Sequence, residues 1–216
     1  SHPSFSLHTV VSVSACACYC APKRPLAINN IAFSVNDNVS VHRFFSTDDY
    51  SKNVVHESIS PCLDLSVASN FESFVYDFFL NRDSSKCAKM FDNFPIKPIE
   101  LDVETWQRKD SLFSSSKVDD LETTKTIQET YKVNGYILDP HTAVAAVEAI
   151  KKSDSSNHFV VLSTAHPAKF PKVYEELNIE INSLPAALSG LFKKEEHLHS
   201  FDADYNQVTD FIKLNN

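Results

Sequence analysis

An α/β fold is predicted by three observations. Phe159-Val160-Val161-Leu162 is a continuous apolar run, as a strand covered on both faces requires. Asp139-Pro140 opens a helical pattern before it, and another helical pattern follows Pro167. Strand and helix signals therefore alternate through the second half of the chain, which is the α/β pattern. Two blocks of polar residues fall at the junctions, Asp139-Pro140-His141-Thr142 and Ser163-Thr164-Ala165-His166-Pro167, where such folds place ligand chemistry.

The chain has 216 residues, 43% of them hydrophobic, enough for a globular core. It holds two glycines, Gly135 and Gly190. Phosphate loops of the GxGxxG or P-loop kind need more, because only glycine lets backbone N–H groups approach the anion. The formal net charge of −8 argues against nucleic acid as a partner. No run of 18 apolar residues exists, so no membrane span is expected. The cysteines are Cys16, Cys18, Cys20, Cys62 and Cys87. An odd count does not read as a disulfide framework, and C-x-C-x-C without a nearby histidine is a poor zinc signature. They read as plain buried thiols in a reducing compartment, and no metal site is expected. The apolar run from Thr9 to Ala17 has no basic segment before it, so a secretory signal is not expected and a cytoplasmic location is.

The elements follow in order. Asn30 to Val35 reads as a short buried strand with Asn36-Asp37-Asn38 as its polar exit. His42-Arg43-Phe44-Phe45 lies in a mixed segment. Ser69-Asn70-Phe71-Glu72 has the spacing of a capping box and predicts a helix start. Phe71, Phe74, Val75, Phe78 and Phe79 follow at helical spacing as its core face. Asp92 to Ser116 reads as connecting structure with one strand at Ile96 to Leu101, and Ser111 to Lys117 has a linker composition. Asp119 to Lys132 reads as a helix with Leu121, Ile127 and Tyr131 toward the core. In the helix from Asp139, the residues Ala143, Val144, Val147 and Ile150 mark the buried face. A helix runs from Pro167 toward Leu177, and a last one from Asp204 to Leu214 with Val208, Phe211 and Ile212 inward.

Each candidate for chemistry has a plain structural alternative. Thr164, directly after a buried strand, can hydrogen-bond a ligand ring at the sheet's carboxyl edge, or it is a turn residue. His141 and His166 each sit beside a proline at a helix start, where backbone donors favour anions; the alternative is an exposed or capping histidine. Lys169 either meets a phosphate there or is solvated. Arg43, beside His42, either clamps an anion or forms a structural ion pair. Glu195-Glu196 with His197 and His199 reads as a solvated face. No Ser-His-Asp order, H-E-x-x-H or C-x-x-C pair is present.

At these residues the chain resembles threonine synthase of the longer, fungal-type form. The matching blocks are Ile31 to Tyr50, with Asn36, Asn38, His42-Arg43-Phe44-Phe45 and Thr47; Ser60-Pro61-Cys62-Leu63-Asp64 through Ser69-Asn70-Phe71-Glu72; Asp139-Pro140-His141-Thr142-Ala143-Val144; and Thr164 through Phe170. The resemblance divides the chain into an unmatched segment, 1–17, and a C-terminal α/β portion, 18–216. It implies a partial fold type II of the pyridoxal-phosphate enzymes, tryptophan synthase β-like: an open twisted sheet flanked by helices. The implied cofactor is pyridoxal phosphate, and the implied reaction turns O-phospho-L-homoserine and water into L-threonine and phosphate. Thr164 matches the threonine that hydrogen-bonds the pyridine nitrogen; a neutral hydroxyl does not hold that nitrogen firmly protonated and so moderates the ring as an electron sink. Asn70, His141 and Thr142 match motif positions near the active site, and His166 and Lys169 lie in its closest-matching block.

The departures are specific. The family's glycine in T-G-x-Y is Asp48 here, its glycine after D-P-H-T-A-V is Ala145, and its aspartate after the second strand-exit asparagine is Val39. Neither the glycine-rich phosphate loop nor the Schiff-base lysine has a match, so no catalytic residue is assigned to this chain. The resemblance implies a partner half, N-terminal in the family, supplied in cis or in trans. A non-catalytic remnant or binding module on the same fold, and a related phospholyase, are the alternative readings.

Overall fold

Alternation along residues 28–35 decides how the sheet is covered. This strand, β2 (Ile28–Val35), sends Ile31, Phe33 and Val35 into one apolar cluster, while Ala32 and Ser34 between them are equally buried. Successive strand residues face opposite sides. One face thus takes large side chains and the other takes small ones, against which a helix can lie close. The computed structural model describes residues 5–10, 28–96, 99, 112–153, 158–181, 184, 189–190 and 193–215. Cys16, Cys18 and Cys20 lie outside them.

Four strands form one sheet in the order β3-β2-β1-β4, where β1 is Phe5–Val10, β3 is Phe113–Lys117 and β4 is His158–Val161. All three pairings are parallel. Segment 5–10 therefore occupies an inner position, its Leu7 in register with Ile31 on one side and Val160 on the other. On the face of Phe33 lie α1 (Ser40–Thr47), α2 (Phe71–Phe78) and a phenylalanine cluster. Phe44 meets Phe71 edge-on at 4.7 Å between centroids, and Tyr50 stacks on Phe71. A short helix, α3 (Ser84–Phe91), is capped by the Asp83 carboxylate and adds Cys87 as a buried thiol. The other face is covered by α5 (Pro140–Lys152), whose Val144, Ala145 and Val147 pack with Leu63 and Val118. Outside it lies α4 (Asp120–Asn134), tied to α5 by Lys151 Nζ donating to Glu122 at 2.6 Å. The predicted α/β class, with an open sheet and helices on its faces, is what the chain adopts.

Several expectations are corrected. The segment read as a linker, Ser111 to Lys117, holds edge strand β3. Its serines are poor strand formers in isolation, yet each has a partner: Ser114 donates to Asn30, Ser115 meets His42 Nδ1 at 2.9 Å, and Ser116 meets Ser34. The expected strand at Ile96 to Leu101 is reduced, among the described residues, to a single antiparallel bridge between Ile99 and Tyr50. The helix expected to start at Ser69 starts at Phe71, with Asn70 as N-cap and no side-chain capping bond. Leu121 is 77% exposed and Ile150 58% exposed. Thr123 and Thr126 join Ile127 in the face that α4 turns inward, because α4 packs on α5 rather than on the sheet. The run from Phe159 is not covered on both faces: β4 is an edge strand whose residues alternate between exposed and half-buried. Cys62 is exposed, not buried.

The helix expected from Pro167 is broken at Phe170 into a 3-10 turn, Pro167–Lys169, and α6 (Pro171–Glu176). Residues Ile181–Asn216 form a separate compact unit. Its helix α7 (Tyr205–Leu214) is capped by Asp204, as its sequence indicates. Val208 and Ile212 are exposed there, while Phe211 packs against the His199 and Phe201 rings. Glu195, Glu196, His197 and His199 are exposed. No helix among the described residues is long and apolar enough to cross a membrane.

Candidate active site

Parallel strands present their carboxyl ends on one edge, and there α/β sheets bind ligands. Two polar networks stand on that edge. The first follows β2. Asn36 and Asn38 are buried, and both side-chain amides donate to Asp64 Oδ1, at 2.6 and 3.0 Å. Asn38 also exchanges two bonds with the His56 backbone, and Asp64 Oδ2 accepts the Ser58 N–H at 2.9 Å. An irregular stretch, 56–64, is thereby fixed to the strand exit.

The second network is built at the start of α5 and after β4. Asp139 caps the helix, its Oδ1 accepting the N–H groups of His141 and Thr142 at 3.0 and 3.2 Å. Pro140 occupies the first turn, where a missing N–H costs nothing. The same carboxylate takes three side-chain donors. Thr142 Oγ1 donates to Oδ2, His141 Nδ1 lies 3.2 Å from Oδ1, and Thr164 Oγ1 lies 3.3 Å from Oδ1. The His141 tautomer is fixed by its other nitrogen. Nε2 accepts the backbone N–H of Cys62 at 3.0 Å, so the ring proton sits on Nδ1 and points at Asp139. Thr142 Oγ1 accepts the Thr164 N–H at 3.1 Å, which pins the backbone after β4 to the helix start. Burial alone would raise the Asp139 pKa; hydrogen bonds from His141 and Thr142 outweigh it and hold the carboxyl below its usual range. Beneath it, Tyr174 donates to the Leu138 carbonyl at 2.7 Å, and burial, with the Asp139 charge adding, pushes its phenol up.

Of the residues singled out in the sequence, His141, Thr142 and Thr164 are brought together. His166 accepts the Ala168 N–H on Nδ1 and caps the 3-10 turn. Lys169 is exposed, its ammonium 5.7 Å from the Phe170 ring, and that ring packs on His141 at 4.8 Å. Asn70 stands on another element, at the head of α2. Arg43 is structural: it pairs with Asp49 at 3.2 Å and donates to Ser51. The residue that sequence reasoning underused is Asp139, read there only as a helix cap. A D-P-H-T run with a second threonine after the next strand is the signal that could have shown it.

Residues 142–212 match the family model described as threonine synthase, C-terminal. A threonine synthase of Pseudomonas aeruginosa is 34% identical over 197 residues, 90% of this chain and 42% of that protein. One of Saccharomyces cerevisiae is 34% identical over 221 residues, 90% of this chain and 43% of its own. The crystal structure of PLP-bound threonine synthase from Brucella melitensis superposes with a TM-score of 0.82 at 26% identity, over 99% of this chain and 46% of that one. The chain thus spans under half the length of these relatives, and by sequence and by fold it is similar to the C-terminal part of threonine synthases.

Proposed function

We propose that this chain supplies the ring-binding side of a pyridoxal-phosphate active site in an enzyme that converts O-phospho-L-homoserine and water to L-threonine and phosphate. The observation that carries the reading is the position of Thr164: a half-buried hydroxyl in the segment that leaves β4, at the carboxyl edge of a parallel sheet, locked to the start of α5. The donor set fits the ring end of that cofactor, since a hydroxyl between two anchored elements can meet a pyridine nitrogen without a metal or a second charge. When bound, the cofactor serves as the electron sink for carbon-centred charge. Thr164 orients the ring through its nitrogen. Thr142 and Asp139 hold Thr164. His141 fixes the 60–64 turn against the same helix start through the Cys62 N–H.

Two of the described lysines, Lys117 and Lys151, are engaged in ways that do not suit covalent attachment of the cofactor. Lys117 pairs with Asp37 at 2.7 Å, and Lys151 with Glu122 and Glu148; the hydrogen bond from the carboxylate partner, first of all, raises each ammonium pKa. A Schiff base needs the neutral amine. On this reading the attachment lysine and the phosphate cradle belong to the portion of the relatives that this chain does not span, in cis or in trans. The test uses a full-length enzyme carrying this chain. Phosphate release from O-phospho-L-homoserine is expected, and Thr164→Val, close in size, is expected to lower kcat about 10-fold or more while the melting temperature holds, because one oriented hydrogen bond to the reacting group is lost. Unchanged turnover and cofactor spectrum in Thr164→Val would reduce Thr164 to a turn residue. Retained cofactor with no turnover of this substrate would favour a related phospholyase.

A further inference from the structure

We propose that His166 and Lys169 form an anion subsite in the segment that carries Thr164, a seat for a phosphate group. It rests on the function proposed above and deepens it: the substrate of that reaction carries a phosphate ester, and one product is free phosphate.

Charge marks the segment first. The chain has 28 aspartates and glutamates, yet residues 155–174 contain none. The same stretch carries His158, His166, Lys169 and Lys172. An oxyanion at the carboxyl edge of the sheet therefore meets no negative side chain from the segment that leaves β4. Asp139, the carboxylate behind Thr164, is 2% exposed, and its oxygens are taken up by donors from His141, Thr142 and Thr164.

Geometry then supplies two donors from one turn. His166 is half-buried and spends Nδ1 on the Ala168 N–H at 3.2 Å. The neutral ring therefore carries its proton on Nε2, which has no partner among the described residues. The Lys169 N–H donates to the His166 carbonyl at 3.0 Å, so the two side chains leave the same tight turn. The Lys169 ammonium has no carboxylate partner among the described residues and stands 5.7 Å from the centre of the Phe170 ring. That ring packs on His141, which is 2% exposed and hydrogen-bonded through both nitrogens. The lysine thus rests on a fixed surface, and binding costs it less freedom than a free side chain would lose. A cation with a directed N–H beside it suits phosphate, which takes several charge-assisted bonds at once.

Inorganic phosphate is the probe. With a full-length enzyme carrying this chain and loaded with cofactor, 31P NMR titration gives the Kd of phosphate, and steady-state rates give KM for O-phospho-L-homoserine. His166→Asn keeps an acceptor for the Ala168 N–H, since asparagine caps well, and removes the Nε2 donor. Lys169→Gln removes the charge. Each should weaken phosphate binding about 10-fold or more, the scale of one charge-assisted hydrogen bond. Lys169→Arg should stay within about 3-fold of wild type, because guanidinium also binds phosphate. A parallel rise in KM assigns the seat to the substrate's ester; weakened phosphate binding at unchanged KM assigns it to the released phosphate. Phosphate binding that neither His166→Asn nor Lys169→Gln moves overturns the proposal. So does an equal loss in Lys172→Gln, three residues on and exposed, because net charge alone would then account for the effect. Loss of the cofactor itself from Lys169→Gln also overturns it, since the anion would then be the cofactor's own phosphate. The ring reading fails separately: Thr164→Val with an unchanged cofactor spectrum removes that reading, while the phosphate titrations still decide the subsite.

Discussion

Tyr50 serves both backbone polar groups of Ala68. Its hydroxyl donates to the Ala68 carbonyl at 3.1 Å and accepts the Ala68 N–H at 2.9 Å, all of it buried. Burial pushes this phenol well up, so it stays neutral at any working pH. Tyr50→Phe keeps the ring stack on Phe71 but strands a buried donor and a buried acceptor. We expect a loss of about 1–3 kcal/mol, the usual cost of such orphaned groups, read as a lower urea midpoint. An unchanged midpoint would mean that water replaces the hydroxyl. At this scale the sequence was a partial guide. Tyr50 stands in a matching motif, but nothing local says that its partner lies 18 residues on. Asp139 teaches the same: Asp-Pro announces a helix start from four residues of sequence, whereas its second role needs Thr164, 25 residues away. Caps are local and legible. Networks closed by a neighbouring strand are not.

Elements were legible where a strong local pattern met no tertiary objection. The Asp139-Pro140 helix and the Asn30 to Val35 strand are of this kind. The serine-rich strand β3 was not, because its stability comes from cross-strand partners and from His42 on α1 rather than from propensity. The His42–Ser115 contact joins α1 to β3 and has a pH signature. Burial first, then the Lys117 charge, lower the His42 pKa, with Glu148 opposing. The unfolded chain therefore takes up this proton more readily than the folded one. Stability from the neutral ring is complete above the unfolded value of about 6.5 and is lost as pH falls through the lower folded value. His42→Gln should flatten the stability profile between about pH 7 and 5; parallel profiles in wild type and variant would exclude His42 as the source. The end of α1 offers a second prediction. Asp48 is its C-cap in the left-handed region, φ 62°, where the family motif has glycine. An L-residue pays there and glycine does not, so Asp48→Gly should stabilise by up to about 1 kcal/mol in thermal or urea unfolding. Destabilisation instead would show that the aspartate side chain holds this corner.

On the scale of the molecule, the sheet ends in two strands that differ in how they are protected. β3 is short, and its side chains are engaged by α1 and β2. β4 has β1 on one side only, and Val160 on it is 42% exposed. Val161, next to it, packs against the α5 cluster, so the strand is held in place with an apolar side chain still showing. A parallel edge with a β-branched residue in the open is a template for another strand. The residues with which the relatives continue amount to more than half of their length, and nothing among the described residues covers this edge. The run Phe159 to Leu162 is written for a strand buried on both faces, and here it is half-covered; the pattern was read correctly as to element and incorrectly as to burial, because periodicity reports the environment of a whole protein. The 216-residue chain on its own should therefore self-associate. Sedimentation velocity is expected to show a mass that rises with concentration, with binding of an apolar dye. Val160→Lys, which places a charge on the open edge, should shift the population toward monomer without changing the circular dichroism. A wild-type chain that sediments as a dye-negative monomer at the highest concentration reached would contradict the reading of β4 as an uncovered edge. Association that Val160→Lys leaves untouched would place the sticky surface elsewhere, with the exposed Val54-Val55 pair and Ile96 next in line.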